Sequence, residues 1–376
     1  MWYYDEGWTV GTEDAIRATY AEAGIPYDTA RASVWNARCM SQAASGQLTK
    51  QDARWSTLNS LRDQIWLARL PEPLWCGDEL GTLRVDGLNI LNDRPDALGT
   101  VLWLVRGYRM FDTLCLHLYG IQSFDRSLDY PCRLGFNTIF LAAMMKGSNG
   151  HPADLDPRVN TDLYTKLAEV ADIAHRRGVR LWVYACADAS ALGISEADQH
   201  AHWLSVCHVL QGGYHIVSVG NETSNGNSAD PTRFPAPTNC PIWTRGSNGE
   251  FSVSPNGATV CEIEVKRRST SEEPFKMIAD AASVEYHTTE MSGPLLQRPV
   301  VRVEDTFAAE AENLGRRSNN PYIFVATAAA AAATRLKGSG GSAFGSDDSA
   351  VGKALTGHQD ACARAAVQAM RTAFTI

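Results

Sequence analysis

The sequence predicts an α/β fold assembled from βαβ units around a parallel sheet. Three observations carry this. From Leu83 onward, short β-branched runs alternate with amphipathic helical stretches. Helical stretches end at a glycine and pass directly into the next apolar run, as at Gly178. Two of the strand-like runs end in a glutamate after several uncharged or β-branched residues, at Glu222 and Glu304.

Taken in order, Leu83-Arg84-Val85-Asp86-Gly87 and Leu88-Asn89-Ile90-Leu91 read as a small hairpin, and Val101 to Gly107 as a strand. Gly135 to Ala142 is a strand. Thr161 to Arg177 is a helix with Leu163, Leu167, Val170, Ala171 and Ala174 on one face. Gly178 stops it, and Val179 to Ala185 is the next strand. A helix around Ser195 to Leu210 leads into His215 to Gly220, a short buried strand before a polar loop that opens with Asn221-Glu222. Residues 223–274 break the rhythm and are rich in Asn, Pro, Ser, Thr and Gly. Within them Phe251-Ser252-Val253 and Val260 to Val265 can pair as a hairpin. Strands are expected to resume at Ala282 to His287 and Pro299 to Glu304. A helix around Tyr322 to Lys337, a last strand at Gly340 to Gly345 and a closing helix at Ala354 to Phe374 complete the pattern.

Residues 1–78 differ. They hold six of the ten tryptophans, and helix starts and stops such as Thr12-Glu13-Asp14 and Pro71-Glu72-Pro73 frame three short helical stretches. The sequence therefore divides into a helical module, 1–78, and an α/β domain, 79–376. The aromatic residues of the module read first as its own core and second as a docking surface for a partner protein.

The chain has 376 residues, 44% hydrophobic and 20% charged, with a net charge of −8. It can bury a substantial core. Lys266-Arg267-Arg268 is the one strongly basic cluster, which argues against a nucleic-acid binder. No run has the apolar length of a membrane span. The first residues lack the pattern of a secretory signal, so residence in the cytosol or release by a route such as lysis is expected. The nine cysteines are scattered without a Cys-x-x-Cys pair and read as free buried thiols; a Cys240–Cys261 disulfide is the weaker alternative. His200, His202 and His208 do not share one helix face, so no metal is expected, and nothing implies a cofactor.

Two carboxylates at strand ends can divide the work of cleaving a glycosidic bond, one as acid/base and one as nucleophile. Glu222 and Glu304 are the candidates. The plainer readings are a solvated loop acid for Glu222 and a first-turn helix acid for Glu304. His287 reads either as a satisfied core histidine or as a partner of the nucleophile. Asp188 and Asp347-Asp348 are rim acids that either contact hydroxyls or are simply solvated.

From about Leu83 to its end the chain resembles the retaining glycoside hydrolases of clan A. Leu83 to Gly87 with Val105-Arg106-Gly107 looks like the entry hairpin and first strand, Gly135-Phe136-Asn137-Thr138-Ile139 the second, and Arg177 to Trp182 the third. Val219-Gly220-Asn221-Glu222 is similar to the fourth-strand Asn-Glu, Tyr286-His287 to the sixth-strand aromatic pair, and Pro299 to Glu304 to the seventh strand. The resemblance implies a (β/α)8 TIM barrel, distorted around strand five where no clear run is found. It implies Glu222 as acid/base, Glu304 as nucleophile, and Asn221, Tyr286 and His287 beside the sugar. Trp103, Trp182, Trp243 or Phe344 would stack on it; the eighth strand carries Phe344 where these enzymes often place a tryptophan. Two expectations follow. The first is an O-glycoside hydrolase acting on a glycan. The second is a silent barrel that binds glycan or builds a larger assembly, such as a virus particle, with 1–78 as its tether.

Overall fold

The computed structural model describes residues 79–96, 98–120, 123–128, 131–132, 136–147, 153–221, 228–246, 257–264, 298–304 and 341–344. The chain enters through three antiparallel strands, β1 (Thr82–Asp86), β2 (Asn89–Asp93) and β3 (Thr100–Leu102). The turn between β1 and β2 is Gly87-Leu88, with Gly87 at φ 57°, the backbone a two-residue hairpin loop requires.

Eight strands then form one parallel sheet. They are β4 (Val105–Arg109), β5 (Thr138–Ala142), β6 (Arg180–Tyr184), β7 (Ile216–Ser218), β8 (Trp243–Thr244), β9 (Cys261–Glu264), β10 (Val300–Glu304) and β11 (Gly341–Phe344). Their hydrogen-bonded order is β8-β7-β6-β5-β4-β11-β10-β9, so each strand lies beside its neighbours in sequence and the last returns to the first. That is the strand order of a (β/α)8 barrel opened at one seam. β8 and β9 flank the seam. Thr259 and Val260, just before β9, donate their backbone N–H groups to Trp243 O of β8 at 3.1 and 3.3 Å, which draws the two ends of the sheet together. At the opposite side Gly341 opens β11 with φ 128°; a Cβ there would sit 2.2 Å from Val105 O, so only glycine lets β11 pack on β4.

The strands β5, β6 and β7 are buried at every position, as expected for a parallel sheet covered on both faces. Outside them lie α1 (Thr113–Leu118), α2 (Phe124–Ser127), α3 (Leu163–Arg176) and α4 (Glu196–Val209). α3 buries the predicted stripe, Leu163, Leu167, Val170, Ala171 and Ala174, together with Ile173. α4 begins at Ser195, whose hydroxyl accepts the Asp198 N–H at 3.2 Å, with Glu196 and Asp198 in the first turn.

The β1–β3 sheet closes the N-terminal end of the barrel. Leu83 N–H bonds to Gly213 O at 2.8 Å. The buried Arg180, first residue of β6, donates to Gly81 O at 2.9 Å, to Asn92 Oδ1 at 2.7 Å and to Tyr214 O, and its guanidinium lies 4.3 Å from the Trp103 ring centroid. A buried charge is tolerable only when its donors are spent in this way.

Several expectations are corrected here. The fifth strand, missing from the sequence pattern, is the two-residue β8, and its partner β7 supplies the register. The strand paired to β10 is Cys261–Glu264, not Ala282 to His287, whose residues lie outside the described part. Cys261 to Glu264 is thus a parallel strand of the sheet; Phe251 to Val253, its expected hairpin partner, lie outside the described residues. Cys240 and Cys261 are both free; the neighbour of Cys240 is Cys207, whose backbone O lies 3.2 Å from Cys240 Sγ. Residues 1–78, expected to form a helical module, lie outside the described residues.

Candidate active site

In a parallel barrel all strands end at the same mouth. β4 ends at Arg109, β7 at Ser218, β8 at Thr244 and β10 at Glu304. Asn221 follows β7 by three residues, and the polar loop after it returns at Ser228. That return is fixed. Ser228 Oγ donates to Asn221 O, Ser228 O accepts the Ser190 hydroxyl at 3.0 Å, and Ala229 N–H bonds to Cys186 O at 3.2 Å. Asn221 Oδ1 is buried and has no hydrogen-bond partner among the described residues. Glu222, Tyr286, His287 and Asp347-Asp348 lie outside the described residues. Phe344 is the last residue of β11.

The residue that the sequence reading missed is Glu262. It sits on β9, opposite Val301 of β10, and is fully buried. Its Oε1 accepts the indole N–H of Trp182 at 2.9 Å. Trp182 is itself fully buried, stacked on Phe140 with ring centroids 4.9 Å apart. The Ser218 and Thr244 hydroxyls and the Arg109 guanidinium also favour the ionised carboxyl, but burial outweighs them and raises its pKa to about 7. Oε2 has no partner of ordinary hydrogen-bond geometry among the described residues. Arg109, also buried, stacks its guanidinium 4.1 Å from the Phe111 ring centroid. The barrel interior below the mouth therefore holds a polar cluster: Arg109, Trp182, Ser218, Thr244 and Glu262.

Other expected contacts fall elsewhere. Trp103 lies at the closed N-terminal end against Arg180, and Trp243 packs edge-on to Trp203 of α4, ring centroids 6.2 Å apart, so neither reaches the mouth. Asp188 is not a free rim acid: its Oδ2 accepts the Lys146 N–H at 2.8 Å and ties the loops after β5 and β6. His202 donates Nε2–H to Ala185 O at 3.0 Å and accepts from Tyr164 at Nδ1, a packed core role. Among the described residues no group of three or more His, Cys, Asp or Glu is placed to hold a metal ion, and no helix is long and apolar enough to cross a membrane.

No family model and no curated protein matches the chain. Solved structures do. A glycoside hydrolase family 5 mannosidase from Rhizomucor miehei matches at 8% identity and TM-score 0.45, covering 80% of this chain and 100% of its own. The exo-β-1,4-mannosidase of Opitutaceae bacterium strain TAV5 matches at 13% and 0.49, covering 80% and 63%. A family 5 structure from Streptomyces cattleya in complex with GlcNAc matches at 14% and 0.46, covering 72% and 80%. At 8–14% identity these are likenesses of fold alone.

Proposed function

We propose that this chain is a retaining glycoside hydrolase that cleaves a glycan by double displacement. The observation that carries the reading is positional. Glu304 is the last residue of β10, and Asn221 lies three residues past the end of β7, so the backbone positions that lead to the two assigned glutamates are at the C-terminal side of one parallel sheet; Glu222 itself, next after Asn221, lies outside the described residues. That side is where barrel enzymes assemble catalytic groups from several strands.

In this reading Glu304, ionised, attacks the anomeric carbon while Glu222 gives its proton to the departing glycosidic oxygen. The glycosyl ester on Glu304 is then hydrolysed by a water that Glu222, now a base, deprotonates. The two carboxyl groups need a separation of roughly 5–5.5 Å for this outcome. The negative charge of Glu304 keeps the Glu222 proton in place at neutral pH. Asn221, whose main chain is held by Ser228, is positioned to offer its side-chain amide to a sugar hydroxyl.

The test is hydrolysis of a panel of aryl β-glycosides and oligosaccharides by wild type, Glu222→Gln and Glu304→Gln. The expected result is turnover by wild type on at least one substrate, with loss of about 10³-fold or more in Glu304→Gln on every substrate and in Glu222→Gln on substrates whose leaving group needs a proton. Glycan binding without cleavage by all three proteins would instead identify a silent, glycan-binding barrel.

A further inference from the structure

We propose that Glu262 is a positioning residue of this site: a third carboxyl, set inside the barrel beneath the mouth, whose charge acts on the two rim glutamates through the low-dielectric interior. The inference rests on the hydrolase reading above.

Three observations support it. The first is placement. Glu262 is opposite Val301 on β10, while Glu264 is opposite Glu304, so Glu262 lies two residues deeper than the strand end that carries the proposed nucleophile. Two residues along a strand is about 6.6 Å. The second is its surroundings. The groups drawn to the carboxyl come from four strands, Arg109 of β4, Trp182 of β6, Ser218 of β7 and Thr244 of β8; Arg109, Ser218 and Thr244 are the last residues of theirs. The carboxyl therefore reaches the level at which those strands open to the mouth. The third is its chemistry. One oxygen is pinned by the Trp182 indole at 2.9 Å, the other has no partner of ordinary geometry among the described residues, and no water-exposed surface remains. A purely architectural role would be filled better by an apolar residue, because a buried carboxyl is costly to ionise.

Among the described side chains the charged group acting on it is Arg109 of β4, and the titratable neighbour is Cys261, the adjacent residue on β9, whose side chain lies on the other face of the strand. Cys261 has its thiol pushed up, mainly by burial, and stays neutral. Arg109 is thus the cation that partly offsets the charge of Glu262. Burial moves the titration of Glu262 toward neutrality, into the range where a glycosidase works. Once ionised, Glu262 adds a second negative charge below the mouth. That charge makes the Glu222 carboxyl a weaker acid, as Glu304 does, and stabilises the oxocarbenium character of the transition state.

The experiment compares wild type with Glu262→Gln, which keeps the acceptor for Trp182 and removes the charge. Two readouts are taken between pH 4.5 and 9: intrinsic tryptophan fluorescence, and kcat and KM on the best aryl glycoside. Expected are a near-neutral fluorescence transition in wild type that Glu262→Gln lacks, and an alkaline limb of kcat/KM moved down by about half to one pH unit. At pH 8 this is a several-fold fall in kcat with KM little changed. Superimposable pH profiles would overturn the proposal, as would a uniform loss at every pH, which marks a packing defect. If wild type cleaves nothing on the panel, the hydrolase reading fails and this one with it. A fluorescence transition that persists there shows a carboxyl that titrates without a reaction to serve.

Discussion

Trp182 of β6 donates its indole N–H to Glu262 of β9 at 2.9 Å, although four strands separate the two in the hydrogen-bonded order. In a flat sheet those strands would be more than 20 Å apart at roughly 4.8 Å per step. The bond exists because the sheet curls until β9 comes round beside β8. It therefore marks closure of the barrel at a seam that carries no ladder, and it places an acid in an interior usually filled with branched apolar side chains.

Glu262 should make stability fall as pH rises. Its pKa is raised from 4.5 to about 7 by burial, so the folded state holds the proton more tightly than the unfolded chain. The favourable contribution is complete below pH 4.5 and is lost as pH climbs through 7. It amounts to on the order of 3 kcal/mol over that window. Glu262→Gln should consequently gain on wild type with pH: its Tm relative to wild type rises by several degrees between pH 5 and 8.5. A difference that stays constant with pH refutes a buried titrating carboxyl.

Two histidines act in the opposite direction. Burial lowers His202 to about 4 and His215 to about 3, where the Arg180 charge adds to the effect. His215 Nδ1 accepts the Leu181 N–H at 3.1 Å, which requires the neutral ring. Their contribution is present above pH 6.5 and is lost as pH falls toward those values, up to about 3 kcal/mol each by pH 4. Denaturant melts from pH 7 to 4 should show this decline, and His215→Gln, which can still accept from Leu181, should flatten it. An unchanged slope in that variant would rule out His215 as a source.

Much of this architecture was readable from the chain. The stripe of α3 repeats at helical spacing, the Ser195 cap precedes two first-turn acids, and β5 and β6 are continuous apolar runs; each pattern is local and long enough to be unambiguous. The sixth strand was not. Cys261-Glu262-Ile263-Glu264 alternates apolar and acidic residues, the signature of a strand with one face in water, yet Glu262 is buried. Its partners, Trp182, Ser218, Thr244 and Arg109, are 18 to 153 residues away in sequence, so no local signal announces them. β8 failed for the opposite reason: two residues carry no period at all, and tertiary pairing with β7 alone makes them a strand.

Arg180 and Arg84 offer a contrast in the value of a charge. Arg84 pairs with Asp93 at 2.9 Å on the open face of β1 and β2, with both side chains well exposed. Such a pair contributes under about 1 kcal/mol. Arg180 is buried, holds Gly81 O, Asn92 Oδ1 and Tyr214 O, and locks the entry sheet to the barrel. Arg84→Met should leave the melting curve nearly unchanged. Arg180→Met should cost about 3 kcal/mol or more, since each bond from a charged donor contributes roughly 1.5–3 kcal/mol and the carbonyls are left unpaired. Faster hydrogen exchange at Leu83 and Trp103, whose N–H groups bond to Gly213 and Ile90, would localise the damage.

The roles given to the two rim glutamates separate in their response to leaving group and nucleophile. Without Glu304 no glycosyl ester forms, so Glu304→Gln should lose turnover on every substrate, while glycan binding persists. Without Glu222 the first step fails only where the leaving group needs a proton. Glu222→Ala should therefore keep much of its kcat/KM on a dinitrophenyl glycoside and lose about 10³-fold or more on an alkyl glycoside. Its second step lacks a base, so the glycosyl-enzyme accumulates as a burst. Azide, an anion that needs no deprotonation, should restore turnover and yield a glycosyl azide of retained configuration. An azide product of inverted configuration from Glu222→Ala would show azide standing in for a missing nucleophile and would exchange the two roles.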